Sequence, residues 1–518
     1  MTHPQSHPPG PSEDLLSQPP EAGLARQVVR GSAAIMAATG VTVSLGFVRS
    51  VLLARWLLPE DFGVVGLAMV FVILANRLRS FGLTIAILHK QVDSGPYYTT
   101  FFTLHTVTVI VGALVYLALT PLVAAFYPGP DVLAPVMMVL IVVTSVGAMN
   151  RVQETILRMH FRFDRLAWVN VAASVVMTLV APYLAWRGWG VWSLVAQEAS
   201  GILVRAVLLW GPWRTGTIAF GWDPAVARWL VRFGLANWVS INTNYLLERF
   251  DDFWVGTTLG STALGFYNRA YEFARYPRRL IATSLVTVMT PVFARLQDDQ
   301  ERLSKTFFRV LSLLVRVGLL VGGGIFVMTP EFVYYVLGEK WLPMVLTLQL
   351  MALYMVLDPL LIMGNNLLLA LGLPTAVART RLMQLAFFVP GVIAGAWIAG
   401  IHGVALAANG MLLVGLGVVY RYTRQHVRYS LRRMIGWPLV AAASGIGGVL
   451  LALGGDGLQQ PQHPTTALLK AAIFVGLFVG LLATTERREL LRMARSTYTV
   501  WQNARSARRT EPVERTST

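Results

Sequence analysis

Apolar residues run along this chain in long blocks, and its polar residues gather in short turns between them. Most blocks reach or exceed the roughly 20 residues that a helix needs to cross hydrocarbon. The pattern predicts fourteen spans: 31–56, 62–88, 97–124, 131–158, 164–186, 189–210, 225–252, 262–295, 302–327, 341–370, 375–399, 401–423, 430–453 and 465–484. Several are longer than a crossing requires, so tilted or broken helices are expected. The stretch from Leu45 to Ala86 shows the repeating unit: an apolar helix, a turn at Pro59-Glu60-Asp61, a second apolar helix, and a basic exit at Arg77 and Arg79. Asp61 is expected to cap the second helix, because acidic groups are stabilising at a helix N-terminus.

Composition agrees with the pattern. The chain is 13% charged with a mean hydropathy of +0.58, whereas soluble domains carry about 25% charged residues. A formal charge of +17 would suit nucleic acid, but its placement points to a membrane. With an even number of spans, 34 of the 43 Lys and Arg fall on the side of the termini. Five fall opposite (Arg55, Arg187, Arg249, Lys340, Lys470) and four within spans (Arg49, Arg205, Arg269, Arg316). This is the positive-inside distribution, and it places both termini in the cytoplasm. The expected partners are therefore membrane lipids, above all an anionic inner leaflet, and no nucleic acid. With no cysteine in the chain, disulfides, zinc–thiolate sites and cysteine nucleophiles are excluded.

The order of segments divides the chain. Residues 1–30 read as a disordered cytoplasmic tail, 31–210 as a first lobe of six spans, and 211–224 as a Gly/Pro-rich cytoplasmic linker. A second six-span lobe follows over 225–425, then an appended pair of spans at 426–485 and a basic cytoplasmic tail at 486–518. A shift of 202 residues sets 53–68 against 255–270 and matches Leu57 with Leu259, Gly63 with Gly265 and Ala68 with Ala270. Six spans separate the copies, so both run the same way through the membrane. The expected fold is an all-α polytopic membrane protein of about fourteen transmembrane helices. Its two lobes form a parallel repeat about a pseudo-twofold axis along the membrane normal, with two extra C-terminal helices.

Polar side chains inside apolar helices carry the candidate chemistry, because a charge there costs about 3 kcal/mol or more to insert. Arg49 lies about two turns before Pro59. Glu198 and Arg205 are seven apart, on one helix face, and read as an intramembrane polar pair. Span 7 carries Asn242, Asn244 and Tyr245 and ends in Glu248-Arg249-Phe250-Asp251-Asp252; span 8 carries Asn268, Arg269 and Glu272, the last two spaced to pair. Contacts between helices are the alternative role for all of these polar groups. No phosphate-binding loop and no HExxH pair occurs, and the eight histidines are scattered. No enzyme activity, cofactor or metal site is expected.

Several segments have a familiar form: Leu53-Ala54-Arg55-Trp56-Leu57-Leu58-Pro59-Glu60-Asp61-Phe62-Gly63, Phe81-Gly82-Leu83, Phe161-Arg162-Phe163, Gly190-Val191-Trp192-Ser193-Leu194-Val195 and Arg232-Phe233-Gly234. Asp251, Gly256, Gly260, Gly265 and Tyr267 add a spaced set, followed by Pro291-Val292-Phe293-Ala294-Arg295-Leu296-Gln297 with Asp299, and Gly338 with Trp341. Over about 31–425 the chain resembles the polysaccharide transporter (Wzx-type) flippases of the multidrug/oligosaccharidyl-lipid/polysaccharide superfamily. The resemblance implies translocation of undecaprenyl-diphosphate-linked oligosaccharides across the bacterial inner membrane by two alternating lobes, for O-antigen, capsule or exopolysaccharide. Polysaccharide polymerase and assembly proteins are the implied partners. On that reading Arg49, Arg269 and Arg55 contact the diphosphate, while Asn242, Asn244, Tyr245 and Asn268 contact sugars. Asp251, Asp252, Glu248 and Asp358 are the candidates for ion coupling. The Leu45–Arg49 start also resembles the lipid II flippase of the same superfamily, but that protein would have Asp where Ser50 stands. A multidrug/cation antiporter is the third reading, and would call for more intramembrane acids.

Overall fold

The computed structural model describes residues 22–90, 95–127, 131–160, 162–214, 219–277 and 283–487. The outer parts of both tails lie outside them. The described helices are α1 (Ala22–Trp56), α2 (Pro59–Ser80), α3 (Leu83–Lys90), α4 (Gly95–Ala125), α5 (Leu133–Met159), α6 (Phe163–Trp186), α7 (Val191–Trp210) and α8 (Pro224–Thr258). They continue as α9 (Gly260–Pro277), α10 (Thr283–Arg295), α11 (Gln300–Glu331), α12 (Val345–Ala370), α13 (Pro374–Thr423), α14 (Leu431–Leu453), α15 (Asp456–Gln459) and α16 (Pro464–Thr485). Among the described residues eleven helices are long and apolar enough to cross a membrane. The number falls short of fourteen for three physical reasons. Helix α8 is too polar, 262–295 holds α9 and α10 with residues 278–282 between them outside the described ones, and α13 carries two expected spans around a kink at Ala399 and Gly400.

Local chemistry sets the helix ends. Asp61 caps α2 as expected, its Oδ2 accepting the Leu58 amide at 2.9 Å, with Pro59 in the first turn. Where the apolar pattern ran on unbroken to 88, α2 stops at Phe81 and Gly82, whose φ angles are 43° and 65°. Gly82 is required there, because a β-carbon would stand 2.5 Å from the Gly234 carbonyl oxygen.

The chain forms two compact units, Met1–Trp56 with Ala68–Leu246, and Leu57–Leu67 with Leu247–Thr518. In the first, α1 packs on α6, α6 on α7, and α5 on both α4 and α7. Polar groups join these helices: Asn150 donates to the Ile202 carbonyl at 3.0 Å and accepts from Trp210 Nε1 at 3.2 Å. Arg79, expected as a basic exit, is instead buried, with Nη1 reaching Ser145 Oγ at 2.9 Å and the Val109 carbonyl at 3.1 Å. The linker region belongs to this unit because the amides of Gly221 and Asp223 donate to Thr103 and Thr100 of α4, each at 3.0 Å.

In the second unit α12 packs against α9, α11 and α13, while α14 and α16 lie on α11. Two buried ion pairs join α16 to α11. Lys470 meets Glu331, and Arg316 gives Nε and Nη2 to Glu486 Oε2 at 2.9 and 2.7 Å. The partners are fifteen residues apart on α11 and sixteen on α16, so two antiparallel helices of equal rise bring both pairs into register. Between these pairs Phe474 fills a notch at Gly323, where a β-carbon would stand 2.4 Å from its ring.

The segment Leu57–Leu67 crosses α9 within this second unit. A β-carbon on Gly63 would stand 1.7 Å from the Ser261 carbonyl oxygen, and one on Gly265 would stand 1.8 Å from that of Pro59. Ser261 is the 202-residue counterpart of Pro59, and Gly265 that of Gly63, so the contact is reciprocal between repeat-related positions. Gly66 faces its own counterpart, Asn268.

Candidate functional site

Within the first unit, α1, α5, α6 and α7 enclose a cavity of about 490 Å³. Its walls carry Arg49 from α1, Arg158 from the end of α5 and Arg205 from α7, with Thr39, Thr42, Asn170 and Ser174 between them. None of the lining residues is acidic. Arg49 Nη1 lies 3.3 Å from Thr178 Oγ1, and that hydroxyl donates to the Ser174 carbonyl at 2.7 Å. Arg205 Nε is buried without a hydrogen-bond partner. Three guanidiniums lining one cavity repel one another, and an anion with several oxygens would relieve the repulsion. Guanidinium forks bind phosphate and carboxylate oxygens through paired donors and keep their charge when buried.

The other expected residues are distributed as follows. Glu198 and Arg205 share a face but do not pair; Glu198 accepts instead from Gln197 at 3.2 Å, and Arg205 joins the cavity. A separation of seven residues is about 10 Å of helix rise, too far for direct contact. Arg55 is exposed in the last turn of α1. Arg269 belongs to the second unit, paired with Glu272 at 2.5 Å and 4.3 Å above the Phe62 ring. Tyr245 is buried, its hydroxyl donating to the Val70 carbonyl and its ring lying 5.2 Å from the Arg77 guanidinium. Asn268 is half-buried opposite Gly66. Asn242 and Asn244 lie on α8 with side chains outside the described residues. Asp251, Asp252 and Asp358 are buried, and Glu248 is exposed.

Arg158 and Asn170 were not singled out by sequence. In sequence Arg158 lies in the basic stretch 151–165, with Arg151, Arg162 and Arg165, and such a stretch reads as a topology anchor. Arg158 is exposed, and only the packing of α5 beside α6 and α7 shows that it lines the cavity.

A family model described as polysaccharide biosynthesis protein matches residues 52–346. The lipopolysaccharide biosynthesis protein WzxC of Escherichia coli (strain K12) is 26% identical over 409 residues, covering 76% of this chain and 79% of that protein. The succinoglycan biosynthesis transport protein ExoT of Rhizobium meliloti (strain 1021) is 26% identical over 311 residues, 59% of this chain and 62% of that protein. Among solved structures, the lipid II flippase MurJ in its inward closed conformation matches with a TM-score of 0.72 at 10% identity. The match covers 89% of this chain and 100% of that one, and is a likeness of fold alone.

Proposed function

Because the chain belongs to the polysaccharide biosynthesis protein family, we propose that it moves undecaprenyl-diphosphate-linked oligosaccharide units across the bacterial inner membrane for surface polysaccharide assembly. It is a multi-pass membrane transporter and not an enzyme. A glycan on a diphosphate cannot cross hydrocarbon unaided, since its charge and hydroxyls would lose their water without replacement. The transporter supplies that replacement while the lipid tail stays in the bilayer. Surface polysaccharide polymerase and assembly proteins receive the product, and the basic charge distribution sets both termini in the cytoplasm.

One observation carries this reading: the acid-free cavity with Arg49, Arg158 and Arg205 among membrane helices. A diphosphate offers enough oxygens for more than one fork. Arg269 is a second candidate, and its use requires the pair with Glu272 to open. Ser50, beside Arg49, is buried and uncharged, so it adds no carboxylate that would compete for the guanidinium.

Surface polysaccharide and membrane protein level, measured together in an Arg49→Ala strain, test the reading. Export should be lost at normal protein level, and Arg49→Lys should export only in part, because it keeps charge but loses the fork. Full export by stably expressed Arg49→Ala and Arg205→Ala variants would remove the cavity from the mechanism.

A further inference from the structure

In the second unit the first turns of α11 and α14 frame a cavity of about 520 Å³, apart from anything the proposed transport uses. Lys305 of α11, Arg428 just before α14 and Arg433 in its first turn bring three cationic side chains to the walls. Glu301 is the single acidic lining residue and pairs with Lys305, so two positive charges are left over. Among the described residues no carboxylate stands at ion-pair distance from Arg428 or Arg433. The walls are fixed from behind. The Arg428 amide donates to Ser304 Oγ at 2.9 Å, and the Tyr429 hydroxyl lies 2.8 Å from Thr423 Oγ1. The Tyr429 ring meets Phe307 edge to face, 5.4 Å between centroids, and Val427 and Met434 are buried in the same apolar cluster.

Two guanidiniums without carboxylate partners in one preformed recess call for an anion, and their planar forks suit the oxygens of a phosphate. The depth of the recess selects among phosphates. On α14 the charges end at Arg433, and Trp437, 49% exposed, lies one turn further in, about 6 Å by helix rise. Leu439 and Val440 continue the exposed apolar face beyond it. A tryptophan between a charged turn and an exposed apolar run marks the level of lipid headgroups. Phe308, half-buried, gives the recess an apolar wall beside its charges. A soluble phosphate compound would use the cations alone, whereas an amphiphile uses both.

We propose that this recess binds the phosphate headgroup of an anionic phospholipid from the cytoplasmic leaflet. Arg428 and Arg433 meet the phosphate oxygens, Lys305 adds charge from the α11 side, and the start of an acyl chain lies along Phe308. Because Arg433 belongs to α14 and Lys305 to α11, the lipid bridges the appended helix pair to the rest of the second unit at this end. Arg316 and Glu486 do the same about 16 Å further along α11. The proposal rests on the cytoplasmic placement of this end, which reporter fusions after Arg302 and Arg433 read separately. It does not depend on what the cavity of Arg49 holds.

Photolabelling of the purified full-length protein in neutral detergent tests the site, because no anionic surface is present there to gather lipid by charge alone. The probe is a phosphatidylglycerol with a photoreactive group next to its headgroup. It should label 300–308 or 428–437, and unlabelled phosphatidylglycerol should compete where phosphatidylcholine does not. Arg428→Gln with Arg433→Gln should weaken half-saturation at these segments by about thirtyfold, since each basic residue beside an anionic lipid contributes about fivefold. Arg421→Gln with Arg432→Gln removes the same charge outside the recess and should leave labelling nearly unchanged. Equal loss in the two double variants would reduce the effect to net charge and overturn the site, as would labelling confined to other segments. Glycerol phosphate, a headgroup without chains, should compete weakly. Competition as strong as that of the lipid would make the ligand a soluble phosphate and overturn the lipid assignment. No saccharide is present, so failure here leaves the transport reading standing, and failure of that reading leaves this site untouched.

Discussion

Gly265 and Pro59 touch backbone to backbone, so closely that a β-carbon on the glycine would stand 1.8 Å from the proline carbonyl oxygen. Neither partner can turn a rotamer to make room. Gly265→Ala and Gly63→Ala should each lower the thermal stability of the purified protein, by about 1–3 kcal/mol if the helices shift to admit the methyl. Gly476→Ala, with open space around it, is the control and should be neutral or slightly stabilising. Equal melting temperatures for all three would mean that the crossing is not closely packed.

The join between α16 and α11 has a definite energetic signature. Lys470 is fully buried and Glu331 nearly so. Removing one partner strands the other, which costs about 3–5 kcal/mol, whereas an apolar replacement of both is close to neutral. Lys470→Met should therefore destabilise the protein strongly, and adding Glu331→Leu should restore much of the loss. A double-mutant cycle by thermal unfolding in detergent measures the coupling; additive single effects would show that the two groups act separately.

The cavity of Arg49, Arg158 and Arg205 should bind a simple polyanion. Inorganic pyrophosphate should raise the melting temperature of the purified wild type, and chloride at equal ionic strength should not. The shift should fall in Arg205→Ala and disappear when Arg49 is also replaced. Stabilisation that persists in the double variant would place anion binding elsewhere.

Orientation can be read from reporter fusions. Fusions after Arg165, Arg302 and Arg433 should report the cytoplasm, and one at Gly457 the outside. An external signal after Arg302 would overturn the arrangement that the basic residues dictate.

Hydropathy located nearly every helix because apolar runs and membrane spans are tied by the same physics. It did not show the break at Phe81 and Gly82, since the apolar run continues across it and only the approach of Gly234 reveals the need for it. The 202-residue echo rested on a few identities, yet two of its matched positions, Gly63 and Gly265, make the reciprocal contact. Charge was less informative residue by residue. Arg79 and Arg158 look like topology anchors in sequence, and one is buried between helices while the other lines a cavity. Sequence spacing put Glu198 and Arg205 on one face, but two turns of rise keep them apart, and the fold turns Arg205 to the cavity instead. Likewise Asp251 and Asp252 are interchangeable as letters, and the fold separates them by offering Tyr267 of α9 to the first and Arg249 to the second.

The two ion pairs of α11 also impose an order in time. Lys470 is 139 residues beyond Glu331, and Glu486 is 170 beyond Arg316. At about 5–20 residues per second a ribosome takes on the order of ten seconds to cover that interval. Throughout it, α11 has left the ribosome with an acid and a base whose ion-pair partners, Lys470 and Glu486, have not been made. Each unpaired charge raises the cost of placing that helix in lipid, by about 3 kcal/mol at its centre. A chain that stops short of Lys470 should therefore seat α11 in the bilayer less readily than the full chain does.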